Sequence, residues 1–345
     1  MELIRRIVPY DASAALKLLE DTFGYEEVVV EAPQLMGKEA AVNQDIVWEA
    51  WEDDQLLGTI HVTIPRCSPT ICGLSAMATH PSARGKGLGR ILFAKIIEEF
   101  ESQGVTTAFL GTSNPIAAKL YHSLGFAFLS GSHVMVRYHK GDTVDFCREN
   151  YAPVREDCRI LKDDSAIRIP MIPLTLMGGN TKVLDVNTGL FHRDFVTQRS
   201  CMGLYPRYDT LLQNGGHFYA AMDENGILGA ILSTMPTEMG LRADFYCCDG
   251  FEMLLPRLLD TCKESVYLQI AECDEKKQAM AKKLGFSPVG DAELLPCGDV
   301  WLPFRIYKNY KHRLQNFCSR FSDHQYFLTN QRMAWREKVF WGFSV

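Results

Sequence analysis

The amino-acid sequence predicts an α/β (α+β) protein of two domains, each a mixed, mostly antiparallel sheet flanked by helices. Three observations support this fold class. The chain has 345 residues, which exceeds the size that one hydrophobic core usually serves. Strand-like and helical patterns alternate in both halves. The stretches AAKLYHSLGF and QAMAKKLGF, which end at Phe126 and Phe286, hold corresponding places in the two halves, and this indicates one structural plan used twice.

The first half contains strands and helices in alternation. Asp11 is a candidate N-cap for the helical stretch AALKLLEDTF, and the strands DIVWEAW and LLGTIHVTIP flank the polar turn EDDQ as an antiparallel pair. CGLSAMAT is a short strand that ends before His80, and a strongly amphipathic helix follows from Gly87. TTAFLG is the next strand, a helix runs from Asn114 to Ser123, and the strands FAFLSG and HVMVRYH complete the series.

The second half repeats this series after a connector. We expect the first domain over residues 1–142, the connector over 143–179 and the second domain over 180–345. The hairpin HFYAAMDENGILGAILSTMP turns at Gly226, and the strands LRADFYCC, ESVYLQIAE and VWLPFRIYK alternate with the helices FEMLLPRLLDTC and KKQAMAKKLGF. The aromatic-rich tail over 311–345 is expected to pack as helix, with a docking surface as the alternative.

The composition is that of an ordinary globular protein. Apolar residues make up 47% and charged residues 23% of the chain, and no apolar run approaches the roughly 20 residues that cross a bilayer. The net charge of -6 provides no basic surface, so we expect small-molecule or peptide partners and neither nucleic acid nor a membrane. The N-terminus shows no secretory pattern, which predicts a cytoplasmic protein. The sequence leaves open whether the protein forms a homodimer. The eleven cysteines match neither a disulfide framework nor a zinc site, so we expect reduced thiols and no metal cofactor.

The stretch HPSARGKGLGR, residues 80–90, joins a predicted strand to the amphipathic helix and is a candidate phosphate site. A glycine turn at a helix start directs several backbone N–H groups and the positive end of the helix dipole to one point. A P-loop needs Ser or Thr after Gly-Lys, but Gly87 stands there. A dinucleotide-binding loop needs GxGxxG, but Arg90 stands at the third glycine. Another phosphate ester, or a turn without a ligand, remains.

Residues Arg84 to Gly89 form an RxxGxG stretch, which resembles the acetyl-CoA pyrophosphate loop of the GNAT superfamily of N-acetyltransferases. A second motif of that family, NxxAxxxYxxxGF, is matched some thirty residues later by Asn114, Ala117 and Tyr121 followed by Gly-Phe. The resemblance covers about residues 1–140 and implies a GNAT fold with acetyl-CoA as acyl donor. The region after residue 180 resembles a degenerate copy of the same fold.

The resemblance implies which residues bind the cofactor. The glycines of the loop would admit the pyrophosphate without a Cβ in the way, and the basic residues would add positive charge. The strand before the loop would hydrogen-bond the pantetheine arm as an added strand would. The implied cofactor-binding residues are Met77, Ala78, Thr79, Arg84, Gly85, Lys86, Gly87, Leu88, Gly89, Arg90, Asn114 and Ala117. The second copy has DGFEMLLP at the place of the loop, so we expect one acetyl-CoA site per chain.

The chemistry needs a neutral amine, a polarised thioester carbonyl and a proton for the departing thiolate. The resemblance implies that Tyr121 is the general acid at the sulfur. A tyrosine pKa near 10 lies close to that of a free thiol, so this proton transfer is plausible in energy. The predicted strand before the loop has no carboxylate, which departs from many relatives. Glu49, His61, His80 or an ordered water could serve as general base, and a structural part for Glu49 and His61 is equally open.

The sequence therefore predicts an acetyl-CoA-dependent N-acetyltransferase. We expect it to transfer acetyl directly, in a ternary complex, to the primary amine of a small molecule. A peptide or protein N-acetyltransferase and a non-catalytic acyl-CoA sensor are the alternatives.

Overall fold

The computed structural model describes residues 1–152, 157–177 and 181–309. In this part of the chain two seven-stranded sheets form, with the orders β1-β2-β3-β4-β5-β7-β6 and β8-β9-β10-β11-β12-β14-β13. One neighbouring pair in each sheet is parallel, β4 with β5 and β11 with β12, and the others are antiparallel. The same strand order in both sheets confirms the predicted fold class of two similar bodies.

The first sheet and its helices are built from residues 2–138. Its strands are β1 (Glu2–Ile7), β2 (Asn43–Glu52), β3 (Gln55–Pro65), β4 (Ile71–Thr79), β5 (Thr107–Gly111), β6 (Ala127–Phe128) and β7 (Val134–Tyr138). Its helices are α1 (Ser13–Phe23), α2 (Tyr25–Leu35), α3 (Leu88–Gln103) and α4 (Pro115–Ser123).

Side chains of the first sheet alternate between two cores. On β2, Ile46 and Ala50 pack with the buried residues of α3 and α4, whereas Val47 packs with those of α1. This alternation follows from the strand period of two. The face that carries α3 and α4 is called the α3 face below, and the opposite one the α1 face.

Two elements of the first sheet were not predicted from the sequence. β1 has two arginines within six residues, and Arg5 is held there by Glu99 on α3, with Nε and Oε1 2.5 Å apart. α2 contains three consecutive valines and Pro33, which are unfavourable inside a helix. Tertiary contacts stabilise both elements against their local preference.

The second sheet begins inside the segment that was predicted to be a connector. The strand β8 pairs with β9, and helices precede and follow β8 along the chain. The strands are β8 (Arg159–Lys162), β9 (His217–Met222), β10 (Leu228–Thr237), β11 (Gly240–Cys247), β12 (Val266–Ala271), β13 (Ser287–Cys297) and β14 (Val300–Lys308). The helices are α5 (Thr143–Tyr151), α6 (Met171–Leu176), α7 (Pro206–Gln213), α8 (Leu255–Cys262) and α9 (Glu275–Lys283). The tail over 311–345, with its predicted helical packing, lies outside the described residues.

The two halves share buried contacts. The guanidinium of Arg168 pairs with the Glu39 carboxylate, with Nε and Oε2 2.7 Å apart, and it lies over the ring of Tyr205. A Cβ on Gly73 of β4 would lie 2.4 Å from the Met202 sulfur, so glycine permits a close approach there. The second half therefore covers the β4 and β5 region of the first sheet, beside the predicted site.

Among the described residues, none of the helices is long and apolar enough to span a membrane. In the same part of the chain, no group of three or more His, Cys, Asp or Glu side chains is arranged to hold a metal ion.

Candidate active site

The strands β4 and β5 separate at the point where the predicted site begins. Their parallel pairing extends from Ile71 opposite Thr107 to Leu74 opposite Leu110. β4 continues to Thr79 and keeps its pairing with β3 there. The stretch 75–79 therefore has a neighbouring strand on one edge, and its other edge is open to an extended ligand.

A β-bulge lies in this stretch of β4. The register with β3 shifts there, and Ala76 adopts a left-handed conformation with φ of 50°. Ser75 and Ala76 both contact the α1 face, whereas Met77 contacts the α3 face. The bulge thus directs two consecutive side chains to the same face of the sheet, which a regular strand does not do.

The loop after β4 has the form of a phosphate nest. Gly85 and Gly87 have φ of 74° and 80°, and nothing lies within 4 Å of a Cβ built on either. Their conformation requires glycine, and the space in front of them is open. Gly89 is different, because it is helical and its Cβ would lie 3.1 Å from the Met77 methyl group. The absence of a Cβ at Gly89 makes room for Met77.

The start of α3 completes the loop. Leu88 is the first residue of this helix and is buried, and no side chain caps its N-terminus, so the first N–H groups are available to an anion. Arg84 Nε donates to the Thr79 carbonyl at 3.0 Å, which fastens the loop to the end of β4. Arg90 donates to Ser123 Oγ at 3.3 Å, and Lys86 is exposed.

Helix α4 follows β5, the strand that borders the gap opposite β4. Asn114 is its N-cap, and its Oδ1 accepts the N–H groups of Ile116 at 2.9 Å and Ala117 at 3.4 Å. Asn114 also lines an open depression of about 400 Å³ between α4 and the loop that joins β6 to β7. Ala117 packs beside the α3 core.

Tyr121 reaches the gap from the α3 face. Its hydroxyl donates to the Met77 thioether sulfur at 3.1 Å, and its ring packs against Phe93 and Phe126. Burial raises the pKa of Tyr121 to about 12. The phenol is therefore a weaker acid than the free-tyrosine value suggested, and its O–H is aimed at a place where a sulfur atom can accept it.

Glu49 lies on the α1 face and is not brought together with Tyr121. Its carboxylate accepts from Tyr10 Oη at 3.0 Å, Arg6 Nε at 3.2 Å and Trp51 Nε1 at 2.9 Å. Burial and the charge of Glu49 raise the pKa of Tyr10. Three donors thus hold this buried carboxylate in a network of its own.

His61 also lies on the α1 face, fully buried. Its Nε2 is 2.9 Å from Asp45 Oδ1, and its Nδ1 is 3.1 Å from Ser75 Oγ and 3.4 Å from Glu31 Oε2. Burial lowers the pKa of His61, but the two carboxylates outweigh this and raise the pKa to about 9. The imidazole is therefore a cation at neutral pH and holds no free lone pair for a substrate proton.

Two polar residues at the gap, Ser75 and Glu31, were not among the site residues predicted from the sequence. Ser75 Oγ donates to Glu31 Oε2 at 2.9 Å, which connects a buried carboxylate of α2 to the open part of β4. Ser75 was visible as the polar residue inside CGLSAMAT. Glu31 carried no comparable signal, because the helix that bears it was not predicted.

The corresponding loop of the second half is closed by acidic groups. Glu252 Oε2 accepts the N–H of Gly250 at 2.9 Å, where an anionic ligand would need it. Asp249 of the same loop pairs with Lys276. A phosphate would meet two carboxylates at this place, which is unfavourable.

The gap of the second sheet is occupied by the chain itself. β11 and β12 pair only from Leu241 to Ala243, and the next residue, Asp244, accepts from the backbone N–H of Val186 at 2.7 Å. Lys277 of α9 donates to the Leu184 carbonyl at 3.1 Å. At the spacing of the first motif, Lys277 replaces the alanine and an alanine replaces the tyrosine. The segment 183–187 thus contacts charged side chains on both sides of this gap.

Comparison with known proteins gives a family for the first half. Residues 14–126 match the model of the acetyltransferase (GNAT) family. The [ribosomal protein bS18]-alanine N-acetyltransferase of Salmonella typhimurium is 44% identical over 52 residues, which are 14% of this chain and 35% of that protein. The match therefore spans about a third of the length of this curated relative.

Two solved structures illustrate the similarity. A GNAT family acetyltransferase from Brucella melitensis in complex with acetyl-CoA is 19% identical, with 41% of this chain and 90% of that chain covered and a TM-score of 0.32. The ribosomal-protein-S18-alanine N-acetyltransferase from Escherichia coli is 19% identical, with 40% and 96% covered and a TM-score of 0.31. The family match confirms the resemblance carried by the two motifs: residues 14–126 form a GNAT acetyltransferase domain.

Proposed function

We propose that this protein is an acetyl-CoA-dependent N-acetyltransferase that acts on the primary amine of a small molecule. One observation carries the proposal. The open edge of β4 leads into the glycine loop at one end, and the Tyr121 hydroxyl reaches Met77 in its middle. An extended thioester with a pyrophosphate at one end fits this arrangement.

Acetyl-CoA supplies an activated acyl group, and the chain supplies its binding surface. The pyrophosphate would lie in the open space at Gly85 and Gly87, against the uncapped start of α3. The pantetheine arm would hydrogen-bond the backbone of 77–79, with Asn114 and Ala117 on the other side. A backbone N–H near Met77 or Ala78 would polarise the thioester carbonyl.

Tyr121 would stabilise the departing thiolate. Its O–H already donates to a thioether, which is a weak acceptor. A thiolate is a stronger acceptor because it is charged. Exchange of the Met77 sulfur for the coenzyme sulfur would therefore be favourable as the C–S bond breaks.

Direct transfer is favoured over an acyl-enzyme intermediate. Cys72 on β4 and Cys201 beside it are the described thiols packed against this part of the sheet, and both are buried. Burial raises the pKa of Cys201 to about 12 and raises that of Cys72 as well. Both thiols are protonated at neutral pH and are poor nucleophiles, so the amine would attack the thioester itself.

The second half favours a small acceptor. The backbone N–H of His133 donates to the Gln198 carbonyl at 2.8 Å, and a Cβ on Gly111 would lie 2.8 Å from the Ser200 backbone. The segment 198–201 thus covers the end of β5 and restricts that approach. A peptide α-amine is the second candidate, because the stretch of 44% identity belongs to a relative named for acetylation of an alanine of a ribosomal protein.

The test is thiol release from acetyl-CoA with three sets of acceptors: small alkylamines, free amino acids and peptides that begin with alanine. Mass spectrometry of the products identifies the acetylated nitrogen. Turnover with small amines supports the proposal, and turnover restricted to peptides favours the second candidate. Binding of acetyl-CoA without turnover on any acceptor would instead indicate a sensor.

A further inference from the structure

A buried polar cluster lies between α2 and the strands β2, β3 and β4. It contains Glu31, Asp45, His61 and Thr63, and each of these residues is at most 2% exposed. Ser75 belongs to the same hydrogen-bond network but is partly accessible. Ionic groups are costly to bury. The residues so far assigned to cofactor binding or to proton donation do not belong to this cluster.

Ser75 stands at the start of the gap. It is the first residue of β4 beyond the last pair with β5, and His61 is its direct partner on β3. Its hydroxyl faces the α1 side, whereas Tyr121 reaches Met77 from the α3 side. Hydroxyl groups thus approach the open part of β4 from opposite faces of the sheet.

We propose that Ser75 and Glu31 remove the proton of the acceptor amine. This inference rests on the proposed function and supplies the general base that the sequence analysis left open. Ser75 Oγ would contact the amine nitrogen and pass its own proton to Glu31 Oε2, 2.9 Å away. His61 and Asp45 are positioning residues, because they hold Glu31 and Ser75 in place without contact to the substrate.

The proton balance is complete. An ammonium substrate must lose two protons, and the coenzyme sulfur must gain one. The first proton moves from nitrogen to Ser75 Oγ as the Ser75 proton moves to Glu31, and Glu31 then releases the proton it received to solvent as the product leaves. The neutral amine then forms the C–N bond as the C–S bond breaks. The thiolate accepts the Tyr121 O–H hydrogen bond and takes a proton from solvent, and the second nitrogen proton leaves to solvent.

The charges of the cluster suit this step. A protonated His61 between the carboxylates of Glu31 and Asp45 leaves a net charge of about -1, which attracts an ammonium group. Cys201 also faces Glu31, and it is a neutral thiol because burial raises its pKa to about 12. The groups that face Glu31 therefore come from β2, β3, β4 and the segment at Cys201, and His61 is the cation among them.

The test compares Glu31→Gln with Glu26→Gln, an exposed carboxylate on the same helix. We expect Glu31→Gln to lower kcat about 100-fold at pH 7, within the usual range for loss of a general base. The deficit should shrink as the pH approaches the pKa of the acceptor amine, because the amine is then already neutral. The affinity for acetyl-CoA, measured by calorimetry, should stay within about twofold.

Two further variants keep the inference falsifiable if Glu31→Gln fails to fold. Ser75→Ala removes one partly accessible hydroxyl and should lower kcat at least tenfold, and Ser75→Thr should restore most of it. Full kcat in Ser75→Ala and Glu31→Gln at every pH would overturn the relay while the proposed function stands. A pH-independent loss would indicate a structural part only and would also overturn it. No turnover by the unmodified protein would overturn both.

Discussion

Replacement of Tyr121 by phenylalanine separates hydrogen bonding to the thiolate from full proton donation. The variant keeps the ring contacts with Phe93 and Phe126 and loses the O–H that now donates to Met77. Because a thioether is a weak acceptor, the free energy of unfolding should fall by less than about 1 kcal/mol. The fold and the loop for acetyl-CoA should persist.

The magnitude follows from the pKa of the phenol. Burial raises it to about 12, and a free thiol has a pKa near 8.5. Complete proton transfer from Tyr121 to a thiolate is therefore uphill by roughly 5 kcal/mol, whereas a hydrogen bond to a charged group contributes about 1.5–3 kcal/mol. We expect kcat to fall about 10- to 150-fold in Tyr121→Phe, with the affinity for acetyl-CoA unchanged.

The assay is thiol release at saturating acetyl-CoA, with calorimetry for the dissociation constant. Tyr138→Phe is the matched control, since Tyr138 is a partly buried tyrosine on the far strand β7 whose hydroxyl bonds Thr143 of α5. A raised phenol pKa also predicts no loss of kcat from Tyr121 ionisation between pH 6 and about 11. Unchanged kcat in Tyr121→Phe would refute the assignment, and a loss above about 10,000-fold would refute the limit to hydrogen bonding.

Four further outcomes are expected. Arg84→Ala should raise the dissociation constant for acetyl-CoA about tenfold, since one charge near the pyrophosphate is lost, and calorimetry that gives an unchanged value would contradict the loop assignment. Calorimetry should also give one acetyl-CoA per chain, and two sites would show that the segment 183–187 does not block the second gap. Glu39→Gln leaves the buried Arg168 with only the more distant Asp209 carboxylate, 3.9 Å away, and should lower the free energy of unfolding by about 3 kcal/mol. A melting temperature equal to that of the unmodified protein would contradict this. His61 has a pKa of about 9 in the folded protein, above its unfolded value near 6.5. Protonated His61 therefore stabilises the fold by about 3 kcal/mol below pH 6.5, and this stabilisation is lost as the pH rises to 9 and above. Denaturant titrations of His61→Gln should lack this part of the pH dependence.

Local patterns predicted most of the fold. The amphipathic helix α3, the strands β2 to β5 and the motif in α4 follow from periodicity and from glycine and asparagine positions, which act within a few residues. The same signals failed for β1 and α2. Arg5 on β1 and the valines of α2 contradict local propensity, and contacts from distant residues stabilise them.

The candidate site likewise contains a part that local patterns predicted and a part that they did not. The chain's own motifs indicated the glycine loop, Asn114 and Tyr121, because an anion nest and an N-cap are built from neighbouring residues. The general base could not be read in this way. Glu31 and Ser75 are distant in sequence, and a bulge and an unpredicted helix bring them together.

The sequence by itself therefore predicted the GNAT domain, the repeated fold and the candidate residues for the acyl donor, since each depends on short-range spacing. Contacts between residues distant in sequence decided the rest. The tertiary structure placed Glu49 and His61 on the face opposite Tyr121, raised the pKa of His61 through the neighbouring carboxylates and that of Tyr121 through burial, and brought the segment 183–187 against Asp244 and Lys277. Burial, charge and strand separation depend on residues far apart in the chain, which is why only the folded structure contains them.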